Sequence, residues 1–302
     1  MESAAGSMLR MRAPFLCILH VSGRRLSAEP QPLGLLPCKI RLLMQIQSAA
    51  QIIQRIEEAH AVHADGVVAF DGDGTLWTGD VGEDLFHALL AHKDFRPQAH
   101  EQMRREAREN GVAFNDDGDV LHLAERLYAE YLAGRFPEER ICELMTWCCA
   151  EWTRAEVDAF SAQQLADGHL VPRLHREAIR VLEWARSAGL DVFLVSASPR
   201  TIVEAAAKTV GIAPDHIAAA TPIYEGDRML AKVHRPIPYG PGKVAALREK
   251  IGQRALYAAF GDNAFDVALL GEAFIPVAVR PKPRLRDRAA EVKMLVEIAH
   301  ES

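Results

Sequence analysis

Apolar positions along most of this chain recur every three or four residues, but in four places they run together. The runs are 67–70 (Val-Val-Ala-Phe), 191–196, 256–260 and 274–279. Each is too short for a helix, and runs of this kind read as strands buried on both faces. The segment 45–63 places Ile46, Ile52, Ile53, Ile56 and Ala59 at helical spacing with charge on the other face, which predicts a helix leading into the first run. Residues 80–171 carry helical periodicity and almost no strand signal. Candidate helices there are 83–92, 97–110, 119–133, 137–152 and 154–167. Phe95-Arg96-Pro97, Gly111, Gly118, Gly134 through Pro137, and Thr153 as an N-cap separate them.

Strand–helix alternation then resumes. Residues 174–188 form an amphipathic helix that Gly189 ends. After the run 191–196, Ser198 is expected to cap a helix reaching residue 210, with Pro199 at its first position. Residues 215–229 read as two short strands around Glu225-Gly226. Segments 243–251 and 264–272 read as helices, and the tail after 279 as helical. The expected fold is therefore α/β: a Rossmann-like parallel sheet with helices on both faces and an inserted all-helical cap. The core would be 45–79 and 172–302, and the cap 80–171.

Residues 1–44 differ from the rest. Arg10, Arg12, Arg24, Arg25 and Arg41 face only Glu2 and Glu29, and an apolar stretch covers 14–21. That stretch is too short to span a membrane. A weak secretory signal or organelle-type presequence is one reading. The preferred one is a disordered extension or a mis-assigned start, with Met44 as the true first residue.

Composition changes this picture little. The chain has 302 residues, 49% hydrophobic and 25% charged, enough for one large or two modest domains. Net charge is −6, so no domain-scale basic surface is implied and nucleic acid is not an expected partner. Small anionic substrates stay open, because a local metal and a few cations overcome a mild global field. Five cysteines, Cys17, Cys38, Cys142, Cys148 and Cys149, form no C-x-x-C. A disulfide framework or zinc site is not expected. The last three fit a helical pattern as small buried hydrophobes. A reducing compartment, hence the cytoplasm, is the simplest inference.

The first apolar run delivers Asp71 to the C-terminal end of its strand, where open α/β sheets bind ligands. Asp73 follows on the same side, and Gly72 and Gly74 let the backbone turn tightly. Two carboxylates this close repel unless a cation separates them or one is protonated. Mg²⁺ suits such oxygen ligands. The plain alternative is an Asp-rich turn; an EF-hand would need Glu where Gly82 stands. Ser196, Asp262 and Asp266 lie at or just after later strand ends, and Lys243 at a helix start. Together they fit phosphoryl transfer. Asp71 would attack phosphorus. A Mg²⁺ on Asp71, Asp262 and a backbone carbonyl would neutralise charge. Ser196 would hold phosphoryl oxygens, Lys243 would supply a second positive charge, and Asp73 would protonate the leaving oxygen. Simpler roles exist: Ser196 or Asp262 as helix caps, Lys243 as a surface lysine. The Gly-Pro-Gly-Lys around Lys243 is not a P-loop, since Ile237 and Val244 occupy defining positions. His122, His169 and His175 have no ligand spacing and receive no role.

In order, the motifs DGDGT (71–75), the strand ending at Ser196, Lys243 and GDNAFD (261–266) resemble those of the haloacid dehalogenase superfamily of phosphohydrolases. The resemblance implies Asp71 as nucleophile and Asp73 as general acid/base. It also implies phosphate binding by Thr75, Ser196 and Lys243. Asp262, Asp266, Asp71 and the backbone carbonyl of Asp73 would serve Mg²⁺. An acid at Asp73 favours phosphate esters over haloacids, since only an alkoxide needs its proton. The helical insertion, Ser-Ala-Ser-Pro-Arg at 196–200 and the Gly-Pro-Gly-Lys segment are similar to the phosphoserine phosphatase subgroup and its phosphocholine-phosphatase-like relatives. Two positions depart from phosphoserine phosphatases: Ala197-Ser198 where two glycines are usual, and Asp80 where a Glu is usual. Trp77, Asp80 and Glu83 could recognise a cationic head group, or be a packed ring and a helix-start charge pair. The implied function is Mg²⁺-dependent hydrolysis of a small phosphorylated metabolite, phosphoserine- or phosphocholine-like, through an aspartyl-phosphate. Transfer to an acceptor alcohol and non-catalytic phospholigand binding are the alternatives.

Overall fold

The computed structural model describes residues 44–115 and 119–301, which lie in one compact unit. The segment expected to be an extension or presequence lies outside the described residues, apart from Met44. The elements begin with β1 (Gln45–Gln47), α1 (Ala49–Val62) and β2 (Gly66–Phe70). Five helices follow: α2 (Val81–His92), α3 (Pro97–Glu109), α4 (Val120–Leu132), α5 (Glu138–Trp147) and α6 (Arg154–Asp167). Then come α7 (Arg176–Ser187), β3 (Asp191–Pro199), α8 (Arg200–Thr209), β4 (Ile217–Ala220), β5 (Pro222–Glu225) and β6 (Arg228–Val233). The chain continues through α9 (Pro241–Ile251), β7 (Ala255–Gly261), α10 (Val267–Glu272), β8 (Ile275–Ala278), α11 (Pro283–Asp287) and β9 (Val296–Ile298).

Seven strands form one sheet in the order β1-β9-β8-β7-β2-β3-β4, and every pair is parallel. The alternation of side chains divides the core. Val68, Phe70, Val192 and Leu194 pack on one face with Ile52 and Ile56 of α1, Val181 of α7 and Val203 of α8. Val67, Ala69, Phe193 and Val195 pack on the other with Leu247 and Ile251 of α9, Leu269 of α10 and Leu285 of α11. This two-sided burial explains the unbroken apolar runs.

The strand order reverses at β2. The chain leaves it toward β3 and β4, then returns to its other side as β7, β8 and β9. A crevice therefore opens at the C-terminal ends of β2, β3 and β7, the position where open α/β sheets hold ligands. A register shift between Val67 and Val68 leaves Tyr257 without a partner and sets Phe70 opposite Phe260. Their rings stack at 4.2 Å. One residue further along, Asp71 emerges beside Gly261-Asp262, with its amide donating to the Phe260 carbonyl at 2.9 Å.

Four expectations change. The first three residues of the expected helix 45–63 are β1, paired with β9. The tail is not all helical, for it ends in β9. Ser198 does not cap α8: β3 runs on through Pro199 and no side chain caps that helix. Helices α2 to α5 share their apolar cluster with Met229, Val233 and Ile237, so a β-hairpin lies against the helical block. Backbone bonds seal the contact: Glu151 N to Met229 O at 2.7 Å and Met229 N to Trp152 O at 2.9 Å. Among the described residues no helix is long and apolar enough to cross a membrane.

Candidate active site

Asp71 is buried, and its two oxygens are held differently. Thr75 Oγ1 donates to Oδ2 at 3.1 Å, and Lys243 Nζ to Oδ1 at 2.5 Å. Lys243 has no exposed surface and also donates to Asp266 Oδ1 at 2.5 Å. Burial alone would discharge such a lysine. The flanking Asp266 and Asp71 charges outweigh burial and hold its pKa above the ordinary value. Asp266 is fixed in turn by the backbone N–H groups of Asp262 and Asn263, at 3.0 and 2.9 Å. In this arrangement Asp266 both positions Lys243 and stands beside the other carboxylates.

Asp73 is surrounded by donors. Its Oδ1 accepts from the Trp77 indole at 2.8 Å and from Val81 N at 2.7 Å. Its Oδ2 accepts from Ser198 Oγ at 2.7 Å and from Ser196 Oγ at 3.4 Å. The residue mistaken for a helix cap is thus a direct partner of the expected acid/base. A bulge explains it: β3 pairs Ser196 with Ala219 and then Pro199 with Ala220, so Ala197 and Ser198 loop out.

Burial, then the Asp80 charge, pushes the Asp73 pKa up to about 7, despite the bonds that favour its ionised form. Burial, followed by the Asp266 and Asp73 charges, brings Asp71 to about 7 against the pull of Lys243. Asp262 rises to about 8, by burial first and then the Asp71 and Asp266 charges.

Asp262 has no hydrogen bond to either buried oxygen. Lys282 Nζ lies 2.8 Å from Oδ2 as an ion pair, but not in hydrogen-bond alignment. Asp71, Asp262 and Asp266 bring one oxygen each within 4.8 Å of the others. Three hard oxygen donors, with Asp262 Oδ1 among them lacking a partner, fit a small divalent cation such as Mg²⁺. The Asp73 carboxyl stands outside this group, which leaves only its backbone carbonyl for the expected metal role. Gly74 makes the close approach feasible. Its φ is +80°, and a Cβ there would sit 2.2 Å from Asp262 Oδ2.

A cavity of about 440 Å³ opens over this site, lined by Asp73, Asp80, Glu83, Tyr131, Phe265 and Lys282 among others. Asp80 caps α2 through Glu83 N at 2.9 Å, and burial raises its pKa to about 6. Burial also raises the pKa of Glu83, and Tyr131 OH donates to it at 3.4 Å. Trp77 does not face the cavity. Its ring is fully buried against Gly72, where a Cβ would come within 2.8 Å, and its one polar atom is spent on Asp73. The aromatic side chains that do line the cavity are Tyr131 and Phe265. Neither was legible as a site residue: Tyr131 sits in a helical repeat and Phe265 in a short apolar turn. His175, given no role above, bonds to the loop after Asp73.

The model of the haloacid dehalogenase-like hydrolase family matches residues 68–271, and the chain belongs to that family. It is 29% identical over 155 residues to the "Inhibition of morphological differentiation protein" of Streptomyces azureus. That match takes in 50% of this chain and 55% of the relative, so the chain spans little more than half of that protein's length. A Bordetella pertussis Tohama I protein of unknown function superposes with a TM-score of 0.61 at 22% identity, over 78% of this chain and 98% of that one. A functionally unknown protein from Anaerococcus prevotii DSM 20548 gives 0.59 at 14% identity, over 84% and 92%. At such identities the likeness is one of fold.

Proposed function

We propose that this hydrolase cleaves a small phosphomonoester through a phosphoryl group carried on Asp71, with Mg²⁺ as cofactor. The observation that carries the reading is the setting of Asp73. A carboxyl held by Trp77, Val81 and Ser198, with a pKa near 7, is fitted to give and take a proton at neutral pH. Expelling an alcohol from phosphorus needs such a group; merely holding a phosphate does not.

In the first step an Asp71 oxygen forms a bond to phosphorus while the bond to the ester oxygen breaks. Asp73 gives its proton to that departing oxygen. In the second step Asp73 takes a proton from water as the water oxygen bonds to phosphorus and the bond to Asp71 breaks. Inorganic phosphate leaves and both carboxyls are restored. Lys243 favours the ionised form of Asp71 and faces the accumulating charge. Thr75 fixes the other Asp71 oxygen, and Ser196 stands ready for a phosphoryl oxygen. A cation on Asp71, Asp262 and Asp266 would neutralise charge between nucleophile and phosphate.

The cavity walls bear on the leaving group. Asp80 and Glu83 line it as carboxylates, and Arg280 and Lys282 as cations that also pair with Glu177 and Asp262. Glu83 accepts from tyrosine hydroxyls, and among the described residues no cation lies within ion-pair distance of it. An ammonium-bearing alcohol, phosphoserine- or phosphocholine-like, meets that unpaired charge. A carboxylate on the same molecule would meet Arg280 and Lys282. The test is phosphate release from a panel of phosphomonoesters including both, with Mg²⁺ or EDTA. Metal-dependent release with a preference for an ammonium-bearing ester is expected. No release from folded, Mg²⁺-supplied protein, with no mass gain on the Asp71 peptide after acid quench, would overturn the proposal.

A further inference from the structure

The chain leaves the sheet for the helical block at residues 78–80 and returns at 173–175, and the two crossings are laced together. Thr78 N donates to Arg173 O at 2.9 Å, and Arg173 Nε donates to Thr78 O at 2.8 Å. Leu174 and Trp77 form an antiparallel bridge. His175 N donates to Leu76 O at 2.9 Å. The buried His175 ring closes the lacing: Nδ1 lies 3.0 Å from Thr75 O, and Nε2 lies 2.7 Å from Thr78 Oγ1.

The chemistry of the partners fixes the proton. A carbonyl oxygen only accepts, so Nδ1 carries the hydrogen and donates to Thr75 O. Nε2 of a neutral ring then accepts from the Thr78 hydroxyl. Burial, followed by the Arg280 charge, holds the His175 pKa below its ordinary value, in keeping with that neutral form. One ring thus grips both ends of the segment 75–78. Between those ends sit Leu76, packed in the core, and Trp77, whose indole holds Asp73. Gly74 N donates to Trp77 O at 2.8 Å, which closes the turn onto the acid/base.

We propose that His175 is a positioning residue for the reaction: by clamping Thr75 and Thr78 it sets the Trp77 indole, and through it the Asp73 carboxyl, against the leaving oxygen. The inference rests on the phosphatase reading above for its kinetic consequence, but not for its structural one. No substrate contact is required of His175. Its effect is expected wherever Asp73 moves a proton, in the second step shared by all esters and, for an alkyl ester alone, in the first. Alkyl alkoxides need that proton to depart, whereas a nitrophenolate departs without it.

The test compares the full chain with His175→Ala, His175→Gln and Thr78→Val. Glutamine offers a donor and an acceptor on one amide and is the conservative replacement; Thr78→Val removes only the hydroxyl that Nε2 accepts from. Each is assayed on phosphocholine and on 4-nitrophenyl phosphate. Expected for His175→Ala is a loss of kcat/KM, which reads the first step alone, at least tenfold larger on the alkyl ester than on the aryl ester. His175→Gln should regain most of it, and Thr78→Val should show a smaller loss of the same kind. Equal losses of kcat/KM on the two esters, or none in a folded variant, would overturn the proposal. A second readout is independent of turnover: the indole N–H resonance of Trp77, assigned with Trp77→Phe. It should shift and exchange faster in His175→Ala and return in His175→Gln. Should the wild type release phosphate from no ester of the panel and gain no mass on the Asp71 peptide, the phosphatase reading fails, and an unmoved indole resonance in folded His175→Ala would separately reject the clamp.

Discussion

Asp73 shows how a single side chain acquires its properties from its neighbours. Four donors would ordinarily favour the ionised form, yet burial and the Asp80 charge outweigh them. Asp73→Asn keeps the shape and most of the hydrogen bonds but loses the proton. Turnover of an alkyl phosphate should fall roughly 10²- to 10⁴-fold, the range for a lost general acid. Asp71→Asn, lacking the proposed nucleophile, should abolish it. Steady-state kinetics on melting-matched variants checks both, and full activity in Asp71→Asn would sink the mechanism. Gly74→Ala is the third residue-scale expectation. The φ of +80° and the 2.2 Å approach to Asp262 Oδ2 leave no room for a methyl group. Mg²⁺ affinity, measured by titration calorimetry, should drop; unchanged affinity would remove Gly74 from the metal cradle.

At the scale of elements, the long buried strands and amphipathic helices were legible because their apolar positions report burial directly. The bounds of α6 match the pattern, with Thr153 and Glu156 forming the capping box that starts it. What failed was short or ambiguous. Gln45–Gln47 and Val296–Ile298 carry three residues each, too few for a period to register. Their strand state is owed to each other across nearly the whole chain. Ser198-Pro199 is a sound helix-start signal, but the bulge in β3 carries the hydroxyl to Asp73 instead. Trp77 next to Asp80 and Glu83 looked like a cation site, yet composition says nothing about which way a ring turns. The motif residues Asp71, Asp73, Ser196, Lys243, Asp262 and Asp266 were legible because strand ends in a parallel sheet converge. His175 was not, since its partners are carbonyl and hydroxyl groups a hundred residues away. Ser198→Ala discriminates the two readings of that residue. A lost helix cap would lower stability by about 1 kcal/mol. A lost partner of Asp73 would also reduce the rate on alkyl esters, which a lost cap alone would not, and this second outcome is expected.

For the whole molecule, the site is a store of electrostatic stress. Asp71 and Asp73 near 7, Asp80 near 6 and Asp262 near 8 all stand above the ordinary 3.8. The folded protein therefore holds protons that the unfolded chain has released. Stability from these groups is full below about pH 4 and is lost as pH rises through 6 to 8. His175 and His100 have the opposite sign, since their folded pKa values are lowered, but they are two groups against the four carboxyls. Metal-free protein should melt at a lower temperature at pH 8 than at pH 5. The proposed Mg²⁺ would bind the deprotonated carboxylates, so it should raise the melting temperature more at pH 8 than at pH 5. Scanning fluorimetry over that range measures both slopes. A flat metal-free profile, or an equal Mg²⁺ effect at both ends, would contradict this account of the site.

The pairing of β1 with β9 has a consequence for synthesis. Residues 45–47 leave the ribosome long before 296–298, the strand they lie beside. Until then β8 has an unpaired edge, and the nascent sheet presents open hydrogen-bonding groups to any other strand nearby. A product cut short by premature termination, or trimmed by a carboxypeptidase past Val296, keeps every catalytic group and loses the cover of that edge. Aggregation, ahead of inactivity, is the expected fate of such a fragment.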